Sequence, residues 1–128
     1  MFKKKLPSQA IEKAFGVALP ERIRNVLDGA NARRLSGAEI DDVENIDFAL
    51  SLSCVKAHHA QDFRDDLDGQ LDIRACFPIA RADHGGGFVY FTVDLTKAAL
   101  PVRAFQVSDG FSDLEPSFEQ FLKRLGVS

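Results

Sequence analysis

Strand-like patterns of apolar and polar residues occupy the middle of the chain. Residues 46–54 place Ile, Phe, Leu, Leu and Cys at every second position, with polar or small residues between them. A period of two over nine residues predicts one strand with a single buried face. Three further strands are predicted at residues 77–80, 88–95 and 102–107, because turn residues separate these apolar runs.

The longest of these runs has two different faces. The odd-numbered positions of residues 89–95 are all apolar and are predicted to face the core. The even-numbered positions begin with Phe88 and Tyr90 and continue with Thr92 and Asp94. This second face is therefore predicted to be mixed.

Two short helices are predicted before the strands. Ser8 is placed to cap the first helix, and Gly16 can end it in the left-handed conformation. Pro20 fits the first turn of the second helix, which Gly29 ends. The apolar faces are formed by Ile11, Ala14 and Phe15 in the first helix and by Ile23, Val26 and Leu27 in the second.

A helix with a strong start signal follows the last strand. Ser117 and Gln120 have capping-box spacing, and Gly126 is placed to end the helix. Its apolar stripe is formed by Phe118, Phe121, Leu122 and Leu125. Helices, then a run of strands, then a helix predict an α+β fold with an antiparallel or mixed central sheet and the last helix packed on it. Residues 30–45 are expected to be irregular, and residues 56–72 fit either a helix or a loop.

The composition predicts a single domain over residues 1–128, with residues 1–7 as a flexible tail. Eleven Phe in a chain that is 45% hydrophobic can form a core without a metal or a disulfide. Cys54 and Cys76 each lie in an apolar stretch and are expected to be buried.

The charge and hydropathy of the chain argue against two classes of partner. The net charge of −3 disfavours a dedicated nucleic-acid binder, because phosphate contacts need clustered Lys and Arg. The basic run Lys3-Lys4-Lys5 is assigned to the solvated tail. No apolar stretch fits a membrane span or a secretory signal, so we expect a cytoplasmic protein.

Gly85-Gly86-Gly87 could in principle cradle a phosphate. A phosphate-binding loop continues into Lys and Ser or Thr and then a helix, whereas Phe88-Val89-Tyr90-Phe91 follow here and predict a strand. We therefore expect a tight connection between two strands, since glycine adopts positive φ without penalty.

Residues 64–75 have the outline of a calcium-binding loop. Three aspartates fall in ligand positions, but Arg64 would occupy the first position and Ala75 the twelfth, where a bidentate carboxylate is required. An acidic solvated turn is predicted instead of a metal site.

The histidines do not form a recognisable catalytic or metal-binding pattern. His58 and His59 are adjacent and point in different directions on any regular element, so at most a surface hydrogen bond to Asp62 is expected. Asp83 and His84 are expected to be exposed, and the chain has no nucleophile elbow. We therefore predict no catalytic residues, no cofactor and no metal.

Several short motifs follow one another in an informative order. They are residues 11–20 (IEKAFGVALP), residues 77–80 (FPIA), the glycine turn leading into residues 88–95, Pro101-Val102, and residues 117–122 (SFEQFL). Together they resemble the SUKH superfamily, the Smi/Knr-like proteins, over roughly residues 8–125. The chain departs from the family pattern in having no Trp.

The resemblance implies a non-catalytic domain that binds another protein. Bacterial relatives are immunity proteins that neutralise a cognate toxin, often a nuclease or a deaminase, and fungal relatives are linked to cell-wall synthesis. An immunity protein with a toxin partner is therefore the leading prediction. A regulatory or scaffold protein of the same fold is the alternative, and an enzyme of unfamiliar type ranks third.

Acidic residues indicate where such a partner could bind. Five carboxylates fall within eleven residues, at Asp62, Asp65, Asp66, Asp68 and Asp72, with only Arg64 to offset them. A second cluster comprises Asp41, Asp42, Glu44 and Asp47. Toxins that cut nucleic acid present basic clefts, so the first cluster is the candidate partner-binding surface. The alternative is that these residues only keep the protein soluble.

Overall fold

The long strands of the protein form one antiparallel sheet. The computed structural model describes residues 6–69, 71–85 and 87–127. The sheet has the order β3-β4-β5-β6-β7, with strands β3 (Ser53–Cys54), β4 (Phe77–His84), β5 (Gly87–Val93), β6 (Val102–Gln106) and β7 (Gly110–Glu115). A second, two-stranded sheet pairs β1 (Glu39–Ile40) with β2 (Leu50–Ser51).

The described residues contain five α-helices, which pack around the sheets. They are α1 (Pro7–Phe15), α2 (Glu21–Asp28), α3 (Asn31–Leu35), α4 (Ala60–Leu67) and α5 (Phe118–Arg124). Short 3₁₀ helices at Ala57–His59 and Ile73–Ala75 precede α4 and β4. This arrangement confirms the predicted α+β class. Within the described ranges every helix is too short or too polar to span a bilayer.

The start of α1 differs from the prediction, and its end agrees with it. Pro7 opens the helix after Leu6, as suits a residue with a fixed φ and no N–H, so the predicted tail cannot extend to residue 7. Ser8 is therefore not the cap: its buried hydroxyl donates to Asp28 Oδ2 (2.6 Å) and ties α1 to α2. Gly16 ends the helix at φ 69°, as predicted. Residues 1–5 of the predicted tail lie outside the described residues.

The predicted strand over residues 46–54 was wrong in extent. Only β2 and β3 are strands there, and they belong to different sheets, so the chain changes pairing partner at Leu52. Leu50, Leu52 and Cys54 are buried as the alternation required, but Phe48 is 56% exposed. The short α3 and β1 within residues 30–45 were also not predicted.

The three later strands were predicted correctly, and the glycine run joins two of them. His84 pairs with Gly87 across the hairpin, and Gly85 has φ 56°. Gly86 lies outside the described residues. Strand β7, which pairs with β6, was missed.

Both faces of β5 are covered from Val89 to Val93, including the face of mixed composition that carries Tyr90 and Thr92. Tyr90 contacts Phe63 of α4 with ring centroids 4.9 Å apart, and Phe91 stacks on Phe121 of α5 at 6.0 Å. Since neighbouring strand residues point to opposite faces, α4 and α5 lie on opposite sides of the sheet. Helix α5 begins where predicted, with Ser117 Oγ accepting from the N–H of Gln120 (3.2 Å).

The role of Phe63 as the contact between α4 and the sheet can be tested. Phe63 is fully buried, so Phe63→Ala should lower the free energy of unfolding by about 3–5 kcal/mol in urea titrations. Phe48→Ala is the matched control, because Phe48 is largely exposed and its loss should change stability by no more than about 0.5 kcal/mol. Equal losses in the two variants would contradict this account of the core.

Candidate partner-binding surface

Helix α4 carries three of the five predicted partner-binding residues. Its buried side consists of Ala60, Phe63 and Leu67, at three- and four-residue spacing. The opposite side carries Asp62, Asp65 and Asp66, of which Asp62 and Asp65 are exposed and Asp66 is half-buried. The apolar stripe that fixes Phe63 against the sheet therefore also leaves Asp62 and Asp65 exposed to solvent.

Arg64 does not offset these carboxylates, although it lies among them in the sequence. Its guanidinium donates to the carbonyl of Ala14 (3.1 Å) and to the carbonyl of Phe15 (2.9 Å). These carbonyls belong to the last turn of α1, where cations are favoured by the helix dipole. The cation is thus used to join α4 to α1.

Asp66 is held to the sheet by a hydrogen bond. The buried Tyr90 donates its hydroxyl to Asp66 Oδ2 (2.7 Å). Burial, reinforced by this carboxylate, raises the pKa of Tyr90 well above its ordinary value. The bond fixes the C-terminal half of α4 over β5.

An open groove of about 450 Å³ runs between α4 and the sheet. The carboxylates on its α4 side are those of Asp62, Asp65 and Asp66, and its other side is formed by Gly87, Phe88 and Val107. Val107 is 50% exposed, so an apolar contact surface adjoins the carboxylates. We call this feature the acidic groove.

Arg81 contacts two of the residues that line the acidic groove. Its guanidinium lies over the Phe88 ring, 3.9 Å from the ring centroid, and its Nη1 is 3.9 Å from Asp62 Oδ2. The Arg81 side chain is mostly buried, whereas Asp62 is largely exposed, so the carboxylate keeps most of its access to solvent.

The other two predicted residues do not line the acidic groove. Asp68 is exposed and ends α4 in the left-handed conformation (φ 51°). Asp72 starts the second 3₁₀ helix, and its carboxylate pairs with Arg74 (2.8 Å). The hydrogen bonds from Arg74 hold the pKa of Asp72 below its ordinary value.

The second acidic cluster lies in the loop between β1 and β2. Gln106 donates to the carbonyl of Glu44 (2.8 Å), and Arg124 donates to the carbonyl of Asp41 (2.7 Å). The loop is thus anchored through its backbone. The acidic residues themselves, Asp41, Asp42, Glu44 and Asp47, are exposed.

Sequence reasoning missed part of this surface. Phe88 was recognised on the second face of its strand, so a signal for it existed. Arg81 and Val107 were not identified, because only the packing of α4 on the sheet brings them next to the carboxylates. No local pattern encodes that approach.

Comparison with known proteins places the chain in a family. The family model described as SMI1 / KNR4 family (SUKH-1) matches residues 8–124. The chain belongs to the SUKH-1 family. Searches of the curated proteins and of the solved structures found no significant match. Membership supports an immunity or regulatory role that is exercised through protein binding.

The ionisable side chains of this SUKH-1 protein have separate structural roles. In the described part of the chain, no three His, Cys, Asp or Glu residues converge as metal ligands would. Cys54 and Cys76 are buried free thiols, as expected, and burial raises the pKa of Cys76 to about 11. His58 is exposed as expected, but the expectation of an exposed His59 was wrong: its ring is buried, and its Nδ1 accepts from the N–H of Lys56 (3.0 Å).

His59 should make the stability of this SUKH-1 protein depend on pH. Burial, with the charges of Arg81 and His58, lowers the pKa of His59 to about 4, and Asp62 only partly opposes this. In the unfolded chain the pKa is about 6.5, so between these values the unfolded state binds the extra proton. The free energy of unfolding should therefore fall as the pH is lowered from about 6.5 to 4.

Urea titrations at several pH values in this window provide the measurement. His59→Asn should flatten the dependence, because the amide oxygen can accept from Lys56 but does not titrate. His84→Asn is the matched control, because the charge of His84 is not among those that lower the pKa of His59, and it should leave the dependence close to that of the wild type. Parallel curves for the wild type and His59→Asn would rule out this assignment.

Proposed function

We propose that this SUKH-1 protein is an immunity protein that binds a cognate toxin of the nuclease or deaminase class through the acidic groove. The observation that carries the proposal is the row of carboxylates on α4, which Arg64 does not offset because its guanidinium is directed to α1. Asp62 also lies near the mostly buried Arg81 but remains largely exposed. We further propose that it acts in the cytoplasm, where an incoming toxin would meet its substrate.

Charge complementarity explains why such a toxin would be the partner. An enzyme that acts on nucleic acid must present a basic cleft to the phosphate backbone. Carboxylates at the edge of the groove would attract that cleft over a distance and raise the association rate. A protein that occupied the cleft in this way would exclude the substrate.

Apolar side chains beside the carboxylates would supply the short-range contact. Val107 is 50% exposed in the groove, and Phe88 lines its wall. Interface energy is concentrated in such desolvated anchors, whereas charges at the rim mainly affect the rate of encounter. The groove thus offers both kinds of contact.

A specific interface buries about 800 Å² on each partner, which is more than the groove alone provides. Phe48 offers the natural extension. It is exposed and packs against His84 at 5.5 Å, and His84 pairs across the hairpin with Gly87 in the groove. Asp47 precedes Phe48, so the extension repeats the combination of carboxylate and apolar side chain.

A growth experiment tests the proposed function. Each reading frame next to the gene for this chain is expressed from an inducible promoter in a bacterial host, with and without the chain. One of them should arrest growth, and the chain should restore growth and co-purify with its product. If no neighbouring product is toxic and loss of the chain instead alters sensitivity to cell-wall inhibitors, the regulatory alternative is supported.

Loss of carboxylates from the acidic groove should slow the association of that complex. Asp62→Asn combined with Asp65→Asn should slow association by about three- to ten-fold at low salt, because two steering charges are lost. The dissociation rate should change less, and the effect should shrink at high salt. Surface plasmon resonance with the purified toxin provides both rates.

A matched variant controls for net charge. Glu39→Gln combined with Asp68→Asn removes the same number of charges from exposed positions outside the groove, and Asn tolerates the left-handed conformation at position 68. Thermal unfolding verifies that both variants are folded. Equal slowing in the two variants would show that net charge matters and the groove does not.

A further inference from the structure

A second groove, of opposite character, lies between α1, α3 and the first 3₁₀ helix. Its volume is about 480 Å³, and it is separate from the acidic groove. Ala10 of α1, Ala32 of α3 and Ala57 of the 3₁₀ helix line it, together with the buried Ile11 and Leu27. We call it the apolar groove.

The groove exists because small side chains stand where three elements meet. Each of the three helices contributes an alanine that is only partly buried. A larger apolar residue at any of these positions would fill the space and complete the packing. The apolar lining is therefore exposed to solvent at a place that is wide enough for a ligand.

Two cations stand at the rim of the apolar groove. Arg33 and Lys56 line it and are exposed, and the lining contains no Asp or Glu. Across the described residues, neither side chain takes part in an ion pair or in a hydrogen bond through its charged group. The backbone N–H of Lys56 donates to His59 Nδ1, which holds the main chain of Lys56 in place.

We propose that the apolar groove binds a small amphipathic anion, with an apolar body between the helices and one carboxylate at Arg33 and Lys56. The volume falls within the range of small-molecule sites, roughly 300–1,000 Å³, and such sites combine an apolar lining with few polar groups. The rim cations select the charge of the ligand, because a carboxylate can accept hydrogen bonds from both. This site is independent of the acidic groove and of the proposed toxin partner.

Isothermal titration with two probes of equal chain length tests the proposal. Dodecanoate, used below its micelle concentration, should bind with one-to-one stoichiometry. Dodecyltrimethylammonium should bind at least about ten-fold more weakly, since loss of one charge-assisted contact changes affinity on that scale. Absence of saturable dodecanoate binding up to about 1 mM, a weak limit for any specific ligand, would overturn the proposal. Equal binding of the two probes would overturn the selection of an anion.

Substitutions in the apolar groove test whether dodecanoate binds there. Arg33→Glu combined with Lys56→Glu should reverse the preference between the two probes while leaving the fold unchanged, because both side chains are exposed. Ala32→Phe should reduce dodecanoate affinity by about ten-fold or more by filling the groove. Lys123→Glu, at an exposed position on α5 outside the groove, is the control and should bind dodecanoate like the wild type.

Circular dichroism and thermal unfolding verify each variant before titration. The double charge variant keeps the proposal testable even if Ala32→Phe fails to fold. Dodecanoate binding that survives the double charge variant undiminished would assign the ligand to another surface and overturn the proposal.

Discussion

The contact of Phe63 with the aromatic face of the sheet determines where most other features of the molecule lie. Its ring meets Tyr90 at 4.9 Å and Phe105 at 6.3 Å, and Phe15 of α1 packs on its other side at 6.5 Å. One side chain therefore joins the sheet, α4 and α1. Because Phe63 sets the rotation of α4 about its axis, it also decides that Asp62 and Asp65 are exposed and that the hydroxyl of Tyr90 reaches Asp66.

The positions of the arginine side chains matter to the acidic groove as much as the net charge of −3 does. Several arginines donate to main-chain carbonyls: Arg64 to α1, Arg103 to Ala75, Arg124 to the loop after β1, and Arg22 to Ala98. Such bonds satisfy carbonyls that helix ends and loops leave unpaired. These arginines thus stabilise the fold, and Arg64 in particular does not pair with the carboxylates beside it on α4.

The elements that could be predicted from the sequence are those whose signals are local. The end of α1 at Gly16, the start of α5 at Ser117 and the three later strands follow from capping residues, turns and periodicity. Strand β7 was missed because its apolar residues, Phe111 and Leu114, do not occupy alternate positions. Both are only half-buried when β7 pairs with β6. The single strand over residues 46–54 failed because Leu50 and Cys54 obey one alternation while pairing in two different sheets.

The candidate site also combines features with a local sequence signal and features that depend on tertiary packing. The carboxylates of α4 could be identified from the sequence, since a cluster of charge is visible without a structure. Their separation into Asp62, Asp65 and Asp66 in the groove and Asp68 and Asp72 outside it could not, because it depends on where the helix ends.

The pairing of Arg81 with Asp62 was equally inaccessible, because it joins residues 19 positions apart through the packing of a helix on a sheet. A composition-based argument can therefore name the chemistry of a binding surface, whereas its shape follows only from tertiary contacts.

The two grooves differ in charge because three carboxylates line the acidic groove, whereas Arg33 and Lys56 line the apolar groove. Arg64 carries its charge from α4 toward α1, away from the acidic groove, while Arg33 and Lys56 have no carboxylate beside them in the apolar groove. If the two grooves bind as proposed, the charge of a ligand or partner would decide which groove attracts it, since fields of opposite sign attract different molecules. The proposed specificity then depends on the placement of a few charges at the edges of apolar surfaces.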